Sequence, residues 1–405
     1  MKKRKKLFFY FISFFVFLIF LLSSCGKNKN QETESTDSNK SSINNSEYLK
    51  SKLTPNFNIA VHNTHYHTNS EYQKQQLLFH FVKSKLIINS SFSNSYNIQY
   101  LLNSNEKSLI CNKMFNKFSG YYLLYLALSK KKNKFNNFYN ATKNLYYIDN
   151  QFCSSYLISN NKKSNVIYSS DNLEIIEALL IYDQKFHTNF YTNDINKLYS
   201  QIKKNLLLDR KLYESYNIEN KKHTNFINLS SFNLITLKSL EFNNNNKSDK
   251  EEYLSQLNII KNGYISNKFP LYKSKYNYDT GEYSNENISC ENSLLIMQRL
   301  SEVGELPNSS LQWLTRKVMK RQLYEYYTIN GNPINHNQSI AGYAIAAIIA
   351  SNQKDPELYQ AAISQLLSFQ VIKYNDYTLN GAFIDSDSQH LKAINNLLPL
   401  IALEY

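Results

Sequence analysis

Apolar residues recur every three or four positions along most of the chain after residue 50, as they do in helices that bury one face. Only 6 prolines and 8 glycines occur in the 405 residues, so there is little of the turn chemistry that separates β-strands. The pattern therefore predicts an all-α domain. Twelve apolar stripes occur, and we predict a helix for each, near residues 71–88, 115–130, 133–147, 171–185, 191–207, 229–241, 248–264, 286–304, 308–324, 338–351, 355–370 and 388–404.

Several stripes have recognisable ends. Gly304 and Pro307 close one helix, Asn308 opens the next, and Gly263 ends another. Residues 341–350 are small and apolar on nearly all sides, which is typical of a helix buried all round. The twelve helices thus include some with one apolar face and one that is buried all round. This combination predicts helical hairpins arranged as a toroid with an inner and an outer ring. A solenoid of helical repeats is the alternative, but no self-similarity of fixed period is evident.

One long interruption, residues 266–284, alternates aromatic residues with Lys, Asn and Asp. A long polar and aromatic loop on a helical scaffold is a common place for binding residues. The alternative is a β-hairpin on the rim, whose turn would be Asp279-Thr280-Gly281.

The first residues have the layout of a secretory signal peptide, with five basic residues at 2–6 and an apolar run at 7–22. The run is shorter than the roughly 20 residues needed to span a bilayer. It ends in Leu22-Ser23-Ser24-Cys25, which resembles the lipobox of bacterial lipoproteins. We predict a signal peptide over residues 1–24, lipid such as palmitate on Cys25, and anchorage at the extracellular face of the bacterial cell membrane.

Residues 26–50 consist almost wholly of Asn, Lys, Ser, Gln, Glu and Thr, so we predict a lipidated flexible tether over 25–50 and a folded domain over 51–405. Removal of the signal peptide takes away five basic residues and lowers the formal charge from +14 to +9. A basic surface suits the anionic polymers of a bacterial wall. No nucleic-acid-binding motif is recognisable, and we expect no nucleic-acid partner.

Three further cysteines remain, Cys111, Cys153 and Cys290. One disulfide at most could form among them, and the sequence does not say which. Three buried thiols are the preferred alternative. Because metal-ligand spacings, glycine-rich phosphate loops and nucleophile elbows do not occur, we expect no metal and no cofactor.

Four parts of the chain carry a resemblance to a known family. Asn116-Lys117-Phe118-Ser119-Gly120-Tyr121-Tyr122-Leu123-Leu124 is similar to the first active-site helix of that family, and Ser170-Asp171-Asn172-Leu173-Glu174-Ile175 to its Asp-Asp-Leu-Arg-Ile segment. Phe269-Pro270-Leu271-Tyr272 through Tyr283-Ser284 resembles its substrate loop, and Leu311-Gln312-Trp313-Leu314 with Asn337-Gln338-Ser339 completes the match.

This order of motifs resembles the family 8 glycoside hydrolases, in particular their membrane-anchored, exopolysaccharide-degrading branch in low-G+C bacteria. The resemblance implies an all-α (α/α)6 barrel of about twelve helices and a polysaccharide substrate. It also implies inverting hydrolysis, which needs a carboxylic acid and a carboxylate base about 6.5 to 9.5 Å apart.

At the positions of the catalytic carboxyls the chain departs from the family. The general acid of the family falls on Lys117, its Tyr-Asp pair falls on Tyr276-Asn277, and only Asp171 remains of the paired Asp. The catalytic candidates are therefore Asp171, which would orient the distorted sugar, and Asp279, as base. Glu106 or Glu291 could replace the acid. The structural alternatives are a helix N-cap for Asp171 and a solvated helix face for Glu291.

Sugar binding needs aromatic faces and amide or carboxylate groups, for which the candidates are Tyr121, Tyr122, Tyr272, Tyr276, Asn277, Tyr278 and Gln338. The sequence thus predicts a monomeric surface lipoprotein that hydrolyses an extracellular or wall polysaccharide. One alternative is a polysaccharide-binding lipoprotein that has lost the general acid and is inactive. Another is a wall-associated scaffold, which would show an exposed apolar patch in place of a cleft.

Overall fold

Helices make up most of the protein in the computed structural model, which describes residues 66–103, 112–242, 246–373, 378–385 and 390–405. The predicted signal peptide, Cys25, the tether, Glu106 and Cys111 lie outside these ranges. The helices are α1 (Asn69–Phe81), α2 (Ile98–Asn103), α3 (Lys117–Leu128), α4 (Lys132–Tyr146), α5 (Ser169–Phe186), α6 (Thr192–Asn205), α7 (Leu234–Leu237), α8 (Lys247–Asn262), α9 (Cys290–Val303), α10 (Asn308–Met319), α11 (Ile340–Gln353), α12 (Pro356–Leu367) and α13 (Ile394–Ala402).

Six of these helices form a closed inner ring. Each of these six helices contacts the next in chain order, which is α3, α5, α7, α9, α11 and α13. The last helix, α13, contacts α3 and closes the ring. A π-helical turn, Lys238–Phe242, lengthens the short α7, and another, Val82–Leu86, lengthens α1. With α1, α4, α6, α8, α10 and α12 as the outer ring, the described residues form the predicted (α/α)6 barrel. Each of the twelve apolar stripes contains or overlaps one of these helices.

Inner and outer helices differ in how much of their surface is buried, as their apolar patterns predict. Helix α11 is buried from Ile340 to Ser351, as expected for a helix that is apolar all round. The outer helix α6 buries only Ile195, Leu198 and Ile202, which lie three and four positions apart. Cys153 and Cys290 are buried free thiols, as predicted. Within the described ranges, no helix has the length and apolar character to cross a membrane.

Short strands in the connections were not predicted, because two or three residues are too few to show an alternating pattern. They are β1 (Ser95–Asn97), β2 (Lys113–Phe115), β3 (Tyr147–Ile148), β4 (Gln151–Phe152), β5 (Ser155–Leu157), β6 (Lys162–Lys163), β7 (Val166–Tyr168), β8 (Leu207–Leu208), β9 (Lys211–Leu212), β10 (Ser215–Asn217), β11 (Lys222–His223), β12 (Phe226–Asn228), β13 (Lys275–Asn277), β14 (Ile288–Ser289), β15 (Tyr326–Tyr327) and β16 (His390–Lys392).

The strands link each connection to the next one around the ring. Just before α3, α5 and α9 lie β2, β7 and β14, and β12 precedes α7 by a short 3₁₀ turn. All pairings are antiparallel: β2 pairs with β5, β7 with β10, β12 with β13 and β14 with β15. Strand β16, before α13, pairs with β1. Within residues 266–284, Tyr276 forms an antiparallel bridge with Tyr283 across the turn at Asp279-Thr280-Gly281, so the hairpin alternative was the better prediction.

A structural repeat accompanies these pairings. Tyr156, Tyr216 and Tyr276 are the central residues of β5, β10 and β13, and they lie 60 residues apart in sequence. This period was not evident in the sequence because the three connections share few residues besides the tyrosine.

Buried asparagines fix the first turns of two inner helices. Asn172 in α5 accepts a hydrogen bond from the Phe152 backbone N–H (2.8 Å) and donates to the carbonyls of Phe152 (3.0 Å) and Tyr168 (2.9 Å). Asn396 in α13 makes the same three kinds of bond, with the backbone of Phe383 and Lys392. Asn172, at the position of the second family Asp, therefore has a structural role.

Helices α3 and α5 pack closely at Gly120. A Cβ atom added there would lie 2.6 Å from the Cβ of Glu174, which is closer than carbon atoms pack. We therefore expect Gly120→Ala to push the two helices apart and to lower the free energy of unfolding by about 1–3 kcal/mol. Denaturant unfolding measures the change. Asn144→Ala, on the exposed face of α4, is the control and should change it little; equal effects would contradict the close packing.

Candidate active site

An open cavity of about 600 Å³ lies where the inner helices begin. Lys117 is the first residue of α3, and Asp171 and Glu291 lie in the first turns of α5 and α9. All three line the cavity, together with Glu174 and Glu214. Residues far apart in sequence thus meet because the inner helices start at the same end of the barrel.

Burial governs the acidity of the carboxyl groups in this cavity. Asp171 is 4% exposed, and burial raises its pKa to about 7, against the opposing charge of Lys117. Burial also raises the pKa of Glu291, and the charges of Lys117 and Lys392 lower it. Glu214 accepts a hydrogen bond from the Asn228 backbone N–H (2.9 Å), and burial raises its pKa as well. Carboxyl groups that hold a proton near neutral pH can act as acids.

Glu174 connects the cavity to a buried charge cluster. The Arg299 guanidinium lies 2.6 Å from Glu174, 3.0 Å from Glu177 and 3.0 Å from Glu302. Asn233 donates to Glu177 (2.6 Å) and thereby adds α7 to the cluster. Burial raises the pKa of both Glu174 and Glu302, the Arg299 charge lowers both, and the neighbouring charge of Glu177 raises both.

Lys117 lies in the cavity at the position where the family resemblance places the general acid. Its side chain is exposed, and its Nζ lies 4.9 Å from the centroid of the Phe118 ring. Among the described residues, no carboxylate lies within ion-pairing distance of this ammonium group. Nor does any group of three or more His, Cys, Asp or Glu in the described ranges have an arrangement that could hold a metal ion.

Aromatic side chains also line the cavity, but most are not those that the sequence suggested. Of the predicted sugar-binding tyrosines, Tyr121 lies there. Phe115, Tyr168 and Phe226 were missed, although each belongs to a strand that precedes an inner helix by no more than a few residues. Tyr168 is 37% exposed, which is more than any other aromatic residue of the lining. Knowledge of the short strands would have identified these residues.

The other predicted binding residues do not line the cavity. Tyr122 packs in the core against Phe138 with ring centroids 4.8 Å apart, and Tyr272 is buried beside Tyr264. The remaining four predicted residues, Tyr276, Asn277, Tyr278 and Gln338, lie in the connections between helices. Tyr276 and Tyr278 pack together (5.4 Å), Asn277 accepts hydrogen bonds from the next turn, and Gln338 accepts one from Tyr343 (2.5 Å).

Asp279, predicted as the base, lies in an exposed turn outside the cavity lining. Its side chain accepts a hydrogen bond from Asn225 (2.8 Å). This position argues against the catalytic role. Two structural alternatives also fail: Asp171 lies inside the first turn of a helix that begins at Ser169 and is not its N-cap, and Glu291 faces the cavity, not bulk solvent.

No protein-family model matches the sequence, and a search of curated proteins finds no match. Solved structures do match. An α-amylase from Clostridium perfringens is 23% identical, with 82% of this chain and 97% of that chain covered and a TM-score of 0.73. PssZ from Listeria monocytogenes is 15% identical, with 81% and 94% covered and a TM-score of 0.61. Endoglucanase Cel10 from Klebsiella pneumoniae, a family 8 glycosyl hydrolase, is 10% identical, with 81% and 98% covered and a TM-score of 0.54.

The chain has the fold of the family 8 glycoside hydrolases. The predicted resemblance is therefore confirmed for the fold. In this barrel the cavity is lined by four carboxyl groups and, among the described residues, one lysine, Lys117.

We expect Arg299→Gln to lower the free energy of unfolding by about 3–5 kcal/mol, because three buried carboxyl groups would lose their only guanidinium partner. Denaturant unfolding at pH 7 measures the change. The control is Arg210→Gln, which breaks an exposed ion pair with Glu251 and should have little effect. A small effect of Arg299→Gln would show that the cluster does not hold the barrel together.

Proposed function

We propose that this protein is a monomeric cell-surface glycoside hydrolase that cleaves an extracellular polysaccharide. The observation that carries the proposal is the placement of Asp171 and Glu291 in one open cavity, at the starts of α5 and α9. Each is near enough to Lys117 for the lysine charge to lower its pKa. Two carboxyl groups in an open cleft are what glycoside hydrolysis requires.

We assign the acid role to Asp171 and the base role to Glu291. Asp171, with a pKa of about 7, holds the proton that a leaving glycosidic oxygen needs. Glu291 would accept a proton from water as that water attacks the anomeric carbon. The glycosidic C–O bond breaks, the proton of Asp171 passes to the leaving oxygen, and the water proton passes to Glu291. Glu291 replaces Asp279 as the proposed base because it lies in the cavity.

The lining of the cavity supports a polysaccharide substrate. Phe115, Tyr168 and Phe226 offer aromatic faces to sugar rings, and Asn228 and Asn292 offer amides to hydroxyl groups. Structures with this fold are described as an α-amylase, endo-β-1,4-glucanases and a xylanase. Starch, β-glucans, xylan and the exopolysaccharide of the source cell are therefore the substrates to test.

Reducing-sugar release from these polymers by the purified full chain tests the proposal. We expect Asp171→Asn and Glu291→Gln each to lower the rate by at least about 100-fold, because each removes one proton-transfer group. The control is Asp279→Asn, which alters an exposed carboxyl outside the cavity and should keep full activity. The rate should fall as pH rises through about 7, where Asp171 loses its proton. Activity that survives both substitutions in the cavity would overturn the assignment.

A second candidate function follows from Lys117. A lysine cannot donate a proton as a carboxylic acid does, so the cleft could bind a polysaccharide without cleaving it. The same assay separates the two functions. No sugar release, together with retention of the protein on an immobilised polysaccharide, would favour the binding function.

We also propose that lipid on Cys25 anchors the protein to the outer face of the cell membrane. The basic segment, the apolar run and the lipobox-like Leu22-Ser23-Ser24-Cys25 support it. Cells expressing the chain should incorporate labelled palmitate into it and retain it in the membrane fraction. Cys25→Ser should abolish both, and Cys111→Ser should abolish neither. Labelling that persists without Cys25 would exclude this anchor.

A further inference from the structure

The cavity contains one fixed positive charge that the proposed hydrolysis does not use. Among the described lining residues, Lys117 is the only basic side chain. Its ammonium group is exposed and packs near the Phe118 ring, with no ion pair among the described residues. An unpaired ammonium group inside a cleft favours a ligand of opposite charge.

The carboxyl groups around Lys117 do not neutralise it. Glu174 is paired with Arg299 at 2.6 Å, and Glu214 accepts the backbone N–H of Asn228 at 2.9 Å. Asp171 and Glu291 lie beyond ion-pairing distance of the ammonium group, and burial raises the pKa of Asp171 to about 7. The lysine charge thus remains available to a ligand.

The surroundings of Lys117 suit an acidic sugar. Hydroxyl and amide groups of Ser170, Ser230, Ser231 and Asn292 line the same cavity and can bond sugar hydroxyls. Tyr168 offers an exposed ring to the sugar face. A sugar carboxylate placed at Lys117 would add a charge-assisted hydrogen bond that a neutral sugar cannot make.

We propose that Lys117 binds the carboxylate of a uronic acid residue, so that the cleft selects an acidic polysaccharide over its neutral counterpart. The inference rests on the part of the proposed function that places a polysaccharide in this cavity, and it requires no hydrolysis. Lys117 is then a specificity residue, and the acid of the family position is replaced by a cation that recognises the substrate.

Binding of matched polymers to the purified full chain tests this. The pairs are glucuronoxylan against xylan without glucuronate, and a soluble glucan oxidised at C6 against the same glucan unoxidised. Isothermal titration calorimetry at low and high salt gives the affinities. We expect the wild-type protein to bind the acidic member of at least one pair roughly tenfold more tightly, and the preference to shrink at high salt.

Variants assign the preference to one side chain. Lys117→Gln should bind both members of the pair equally, Lys117→Glu should prefer the neutral member, and Lys117→Arg should keep the acidic preference. The control is Lys113→Gln, an exposed lysine four residues earlier whose Nζ lies 5.3 Å from the Phe115 ring and which does not line the cavity. It should behave as the wild type does.

The outcomes separate this inference from the proposed function. Equal affinity of the wild-type protein for both members of each pair, or a preference that survives in Lys117→Gln, would overturn the inference whatever the activity. Hydrolysis of neutral glucans with no such preference would retain the proposed function and overturn the inference alone. Selective binding without sugar release would retain the inference and favour the binding function. If neither member of any pair binds, the inference fails, while sugar release from starch or from the exopolysaccharide decides the proposed function separately.

Discussion

The ion cluster around Arg299 is the interaction on which the barrel and its cavity depend together. One guanidinium joins Glu174 and Glu177 of α5 to Glu302 of α9, and Asn233 adds α7. Charges buried this deeply are tolerated only while they stay paired, so the cluster fixes the spacing of three inner helices. Because Glu174 also lines the cavity, the same contact sets one wall of the site.

The rim of short strands determines where the inner helices begin. Each strand that leads toward an inner helix, from β2 to β14, pairs with a strand in the following connection, so that neighbouring helices start at similar heights. Asn172 and Asn396 then tie the first turns of α5 and α13 to the backbone of the rim. First-turn residues of several helices are thereby brought to one cavity, which explains how Asp171 and Glu291 meet.

The cavity places one cation, Lys117, among four carboxyl groups. Burial raises the pKa of Asp171 to about 7, so this carboxyl group can hold a proton near neutral pH. The Lys117 charge lowers the pKa of Asp171 and of Glu291, while burial raises the pKa of both. The cavity therefore contains an acidic group, Asp171, and a positive charge, Lys117, and both can contact a bound sugar.

The helices could be predicted from the sequence alone, because a 3.6-residue period and end signals such as Gly304 and Pro307 are local properties. The sequence also determined that residues 341–350 are buried all round. It did not determine which tyrosine enters the cavity: Tyr122 and Tyr168 look alike in so aromatic a chain, and only packing buries the first and exposes the second. Asp279 and Glu291 are both charged residues near the same loop. Strand pairing places Asp279 in an exposed turn and the start of α9 places Glu291 in the cavity, and both depend on contacts between distant residues.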